Sequence, residues 1–156
     1  MHTTSQKIRD ATFYVMDSFF AVLAAWFSLA RRMAPAWQLD GQTWVVVLLA
    51  LAAGLALSGA VLVVLTLKLQ EARLQKTFFL LTGASAVAMP ICAILHNVVY
   101  GLFIWWFGEG FWGRNGDEPV FFLLAVVFCP VLFVVGGVGS TVLLIKARMS
   151  NQGNTP

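Results

Sequence analysis

Three long uncharged apolar runs dominate this chain. Trp44 to Leu67 is 24 residues without a charge, Phe78 to Phe107 is 30, and Val120 to Ile145 is 26. About 20 apolar residues suffice for a helix to cross a hydrocarbon core of about 30 Å. Inside lipid each backbone N–H and C=O must be satisfied within its own segment, so helix is the only choice for such a run. The period-two alternation of barrel strands is absent.

Composition gives the same answer. Of the 156 residues, 60% are hydrophobic and 11% are charged, against roughly 25% charged in soluble domains. That excludes a soluble enzyme, a disordered tail, a coiled coil and a small secreted disulfide scaffold. The net charge of +3 reads as basic residues held on the cytoplasmic side of a bilayer, not as a nucleic-acid surface. Cys92 and Cys129 both fall inside apolar runs and form no CxxC, which argues against a disulfide framework.

A fourth run, Ala11 to Ala30, carries one charge, Asp17. Lys7 and Arg9 before it and Ala34-Pro35-Ala36 after it resemble a cleaved signal, but the run is too long for one and Arg31-Arg32 sit in the cleavage region. It holds no Lys or Arg, whereas a surface-lying helix needs a broad basic face. With four spans, the cytoplasmic side takes Lys7, Arg9, Lys68, Arg73, Lys76, Lys146 and Arg148. The outer side takes Arg31, Arg32 and Arg114. That seven-to-three split obeys the positive-inside rule, whereas three spans of the intact chain divide five to five. A cleaved first run gives five to one, so charge alone leaves that alternative open.

The expected architecture is therefore an all-α polytopic membrane protein, a single four-helix bundle. Its spans are about 11–30, 44–67, 78–107 and 120–145, with an outer loop over 108–119 and a polar tail over 146–156. The alternative is three spans plus an interfacial helix or cleaved signal. Expected localisation is the plasma (inner) membrane with both termini cytoplasmic. Trp37, Trp44, Trp105, Trp106 and Trp112 fall near outer span ends, where indole prefers to sit. Asp117 suits the N-cap of the last helix, with Glu118 also favourable at that positive end.

Helices in lipid approach through small residues. The second span offers Ala50, Gly54 and Ser58, the third Gly83, and the fourth Gly136, Gly137, Gly139 and Ser140. These predict close packing within one bundle, with Gly136 and Ser140 as the alternative seam between subunits. Pro90 and Pro130 remove mid-span backbone donors and predict kinks.

The intramembrane polar set is Asp17, Ser58, Ser85, His96, Asn97 and Tyr100. Ionisable groups at such depth are costly and count as site candidates. Met89, Cys92 and His96 fall on successive turns of one face, and Cys129 is expected at a similar depth on a neighbouring helix. Soft sulfur with imidazole suits Cu(I) or, less well, Zn. The plainer expectation is a structural cluster, with His96 bonded to Tyr100 or to a carbonyl freed by proline. Asp17 is expected near the depth of Ser58, where an Asp–Ser bond would join two helices; a cation-coupled transporter would also use such a carboxylate. Ser140 and His96 lie too far apart in depth for an intramembrane serine protease. One intramembrane His cannot supply a bis-histidine haem.

No catalytic constellation emerges, and no cofactor is required. The expectation is a non-catalytic protein acting through helix contacts, as a homo-oligomer or as an accessory subunit of a membrane complex. One alternative is a small transporter or channel using Asp17 and a cavity beneath the helix kinks at Pro90 and Pro130. Another is a metal or redox site at Met89, Cys92, His96 and Cys129.

Overall fold

The computed structural model describes residues 4–33, 41–69, 72–112, 116 and 118–152, and every regular element among them is helical. Helix α1 spans Thr4–Met33, α2 Gly41–Lys68 and α3 Arg73–Phe107. The fourth rod is composite: α4 over Pro119–Leu123, a π-helical turn over Leu124–Phe128, and α5 over Cys129–Gln152. The count of four rods agrees with the sequence. Val45–Lys68, Arg73–Phe107 and Pro119–Ala147 are long and apolar enough to cross a membrane. Asp10, Thr12, Asp17 and Ser18 interrupt α1, which is not among those three. The Ala34-Pro35-Ala36 segment, Trp37, Arg114 and Asp117 lie outside the described residues.

Helix α3 is the centre of the bundle, with α2 on one flank and the fourth rod on the other, and glycine sets both seams. A Cβ on Gly59 would lie 2.7 Å from the Gly83 oxygen and 2.8 Å from the Ala86 Cβ. A Cβ on Gly136 would lie 2.5 Å from the Thr82 hydroxyl and 2.8 Å from the Thr82 amide. Gly139 likewise receives the Phe78 ring. These approaches are closer than a side chain permits, so glycine is required there by the partner's backbone.

Helix α1 closes the open side. The Phe13 ring meets Phe79 edge-on at 5.2 Å, and further along Phe20 meets Phe133 at 4.3 Å. Successive turns of α1 thus track along the bundle, starting near the Arg73 end of α3. The shared core is Phe13, Met16, Leu55, Leu62, Phe79, Ala86, Phe133 and Leu144. Leu55 and Leu62, like Phe79 and Ala86, are one heptad apart, the repeat that keeps one face toward a partner helix. Arg9 is also sequestered, at 1% exposure. Its guanidinium stacks 4.3 Å from the Phe79 centroid, and its Nε donates to Asp10 at 2.9 Å. An arginine can be buried this way because its weakly hydrated plane accepts an aromatic face and a carboxylate together.

The two prolines behave differently. Helix α3 continues unbroken through Pro90. Before Pro130 the helix widens: the Cys129 amide donates to the Leu124 oxygen, a five-residue step. In a regular α-helix the Pro130 ring would strike the carbonyl of Val126. One extra residue in the preceding turn relieves that clash, the usual origin of a π-bulge beside a proline.

Candidate functional site

The polar groups expected within spans are mostly consumed locally. Ser58 donates to the Gly54 oxygen at 2.9 Å, Thr66 to Leu62 at 2.7 Å, Thr82 to Phe78 at 2.9 Å, and Ser85 to Leu81 at 2.7 Å. Asn97 donates to the Ala93 oxygen at 2.8 Å. Each satisfies its donor within its own helix, so none needs a ligand or a neighbouring strand of polar groups. The Asp17–Ser58 bond expected from the sequence does not form. Ser58 is spent on its own backbone, and Asp17 faces α5, where a Cβ on Gly137 would lie 3.1 Å from its Oδ1.

Of the four residues considered for a metal, Cys92 and Cys129 meet each other, while His96 and Met89 each have other company. The His96 Nδ1 lies 2.9 Å from the Glu118 backbone oxygen and 3.4 Å from its Oε2. A carbonyl oxygen only accepts, so the proton of the neutral ring is fixed on Nδ1. Tyr100, the expected partner of His96, instead stacks on Trp112 at 6.2 Å. Below this pair, the Cys92 and Cys129 thiols are within hydrogen-bonding reach of one another across the α3–α5 seam, and both are unbridged. Met89 packs on the hydrophobic core. Among the described residues no group of three His, Cys, Asp or Glu side chains converges.

Glu118 is the residue the sequence underweighted. It is 4% exposed and caps α4: Oε1 accepts from the Val120 amide at 2.8 Å, and Oε2 accepts from the Phe121 amide at 3.0 Å. The N-cap is therefore Glu118 and not Asp117. The signal was present, since Pro119 occupies the first helical position that commonly follows a cap. One side chain thus satisfies the orphan donors of a helix start and, through its backbone, ties that start to α3. Beside it, Phe103 and Phe107 at the end of α3 meet Phe111 and Trp112 of the following loop with ring contacts of 5.0–5.6 Å, the chain turning at Gly108, whose φ is 85°.

Of the small residues, Gly83, Gly136 and Gly139 close seams inside the chain, and Ser140 is fully buried. Within the chain, Thr82 and Phe78 of α3 occupy the face of Gly136 that the alternative assigned to another subunit. Gly54 is the opposite case. It is exposed, and a Cβ there would meet nothing within 4 Å.

The remaining feature is a lateral groove between α1 and α5, about 330 Å³ in volume. Phe20, Phe133, Val134 and Val138 form its apolar walls, with Asp17, Gly137 and Thr141 at its polar patch. No hydrogen bond or ion pair among the described residues engages the Asp17 carboxylate. Beside the groove Phe20 of α1 meets Phe133 of α5 and Asp17 faces Gly137, which contributes no side chain to fill the gap. Comparison with known proteins assigns no relative: no family model matches the chain, and no curated protein and no solved structure matches it.

Proposed function

We propose that the chain is an integral protein of the plasma (inner) membrane, crossing it four times with both termini cytoplasmic. In this reading it works without catalysis, through lateral helix contacts, as a homo-oligomer or as an accessory subunit of a membrane complex. The observation that carries the reading is the outward direction of its apolar side chains. Leu49 and Leu57 of α2, Ile94 of α3, and Val126 and Val138 of the fourth rod are all more than half exposed. That surface is tolerable in lipid and not in water. The internal seams use up Gly59, Gly83, Gly136 and Gly139, while Gly54 stays bare on the outer face of α2. The fourth crossing is supported by the course of α1 beside α3 and α5 and by the seven-to-three division of basic residues. The test is the mass of the particle in mild detergent and in native nanodiscs. An assembly larger than one chain is expected, and a strictly monomeric, partnerless species contradicts the reading.

One observation favours a second reading. A carboxylate with no ion partner among the described residues, in a groove open to the side, is what a small transporter of cations would present. Liposome flux that is lost in Asp17→Asn supports it, and flux unchanged by that substitution removes Asp17 from the role.

A further inference from the structure

We propose that the groove between α1 and α5 is a binding site for an organic ammonium cation. The cation's apolar body would lie against Phe20, Val134 and Val138, with its charged nitrogen at Asp17. This rests on the groove described above and names the chemistry of its occupant.

Three features select that class. The first is charge: among the described residues that line the groove, Asp17 is the only ionisable one, with no lysine, arginine or histidine. An anionic ligand is repelled, and a neutral one leaves a carboxylate desolvated without compensation. The second is the wall. The Phe20 ring lines the groove together with the carboxylate, and Phe133, 1% exposed, backs that ring at 4.3 Å. Aromatic faces attract quaternary and tertiary ammonium groups through the ring quadrupole, more strongly when water is excluded. The third is size and donor number. One carboxylate and the Thr141 hydroxyl cannot complete the six to eight oxygen ligands of a calcium ion. A volume of about 330 Å³ matches a small organic molecule, at the lower end of ligand pockets. Gly137 contributes to the fit, because a side chain there would press on Asp17.

The test uses the full chain in phosphatidylcholine nanodiscs, which carry no net charge. Two probes of one shape are compared by equilibrium dialysis: benzyltrimethylammonium and its neutral carbon isostere neopentylbenzene. Saturable binding of the cation to the wild type is expected, above the linear partition of both probes into lipid. Asp17→Asn should weaken it at least tenfold. Val138→Trp should plug the groove from its exposed wall and abolish binding with the carboxylate intact, which guards against a folding effect at Asp17. The proposal is overturned by any of three results: no saturable binding to the wild type, equal affinity in Asp17→Asn, or equal saturable binding of the neutral probe. It is also overturned if a second copy fills the groove. That outcome reads out as an intermolecular crosslink at Val138→Cys in a chain with Cys92→Ser and Cys129→Ser. Flux is measured separately, so binding without transport keeps this site and removes the transporter reading alone.

Discussion

Gly59→Ala, compared with Gly54→Ala, isolates the glycine contact between α2 and α3. Both residues lie on α2, five positions apart, and both changes replace glycine by alanine within a helix. The intrinsic preference for alanine, about 1 kcal/mol in water, therefore cancels in the comparison. The surroundings differ. At Gly54 the new methyl meets nothing within 4 Å, whereas at Gly59 it arrives 2.7 Å from the Gly83 oxygen and 2.8 Å from the Ala86 Cβ. Carbon contacts relax at about 3.5–4.0 Å, so α2 and α3 must separate by about 1 Å at that point. The obstacle at Gly83 is backbone, which cannot rotate aside as a side chain would. Overpacking of this kind costs about 1–3 kcal/mol. Gly59→Ala should thus be about 1–3 kcal/mol less stable than Gly54→Ala, in a titration with denaturing detergent followed by helicity and tryptophan fluorescence. Equal stability of the two variants would refute the α2–α3 seam and the register built on it.

Other outcomes follow from the same geometry. Glu118→Ala removes the acceptor for the Val120 and Phe121 amides, and should cost about 1 kcal/mol, with hydrogen exchange rising first at those two amides. A mild thiol oxidant should crosslink Cys92 to Cys129 within one chain, read as a thiol count falling to zero without a dimer on a non-reducing gel. Crosslinks only between chains would contradict their apposition. Pro130→Ala restores a backbone donor and removes the ring that the π-turn accommodates. Its amide should then bond to the Val126 oxygen, with backbone chemical shifts over Leu124–Phe128 moving toward α-helix, and unchanged shifts would show that the turn has another cause.

The rods were readable because each long run without charge admits one backbone solution in lipid. Their packing was only half readable. Small residues at Gly83, Gly136 and Gly139 announced close approach, yet spacing alone does not say which neighbour arrives, so Gly136 was equally suited to α3 and to another subunit. His96 shows a different limit. Its own helix face suggested Met89 and Cys92 as company, while its actual partner, Glu118, is 22 positions away at the start of another helix. That pairing depends on how α3 and α4 align, which no local pattern encodes. Arg9 enters the sequence reading only as a cytoplasmic-side charge, and its burial, made tolerable by Phe79 and Asp10 together, has no local sequence signal. The groove at Asp17 was not legible in the sequence, because it depends on how Phe20 and Asp17 of α1 come to face Phe133 and Gly137 of α5.

Single cysteines placed at Thr4, Thr43, Gly110 and Ser150, in a chain lacking Cys92 and Cys129, and exposed to a membrane-impermeant maleimide on intact cells, test the membrane reading most directly. Four crossings require Thr43→Cys and Gly110→Cys to react from outside, with Thr4→Cys and Ser150→Cys reacting only after permeabilisation. Reaction of Thr4→Cys from outside together with Thr43→Cys would contradict the account, because α1 would then lie on one side of the bilayer and not cross it.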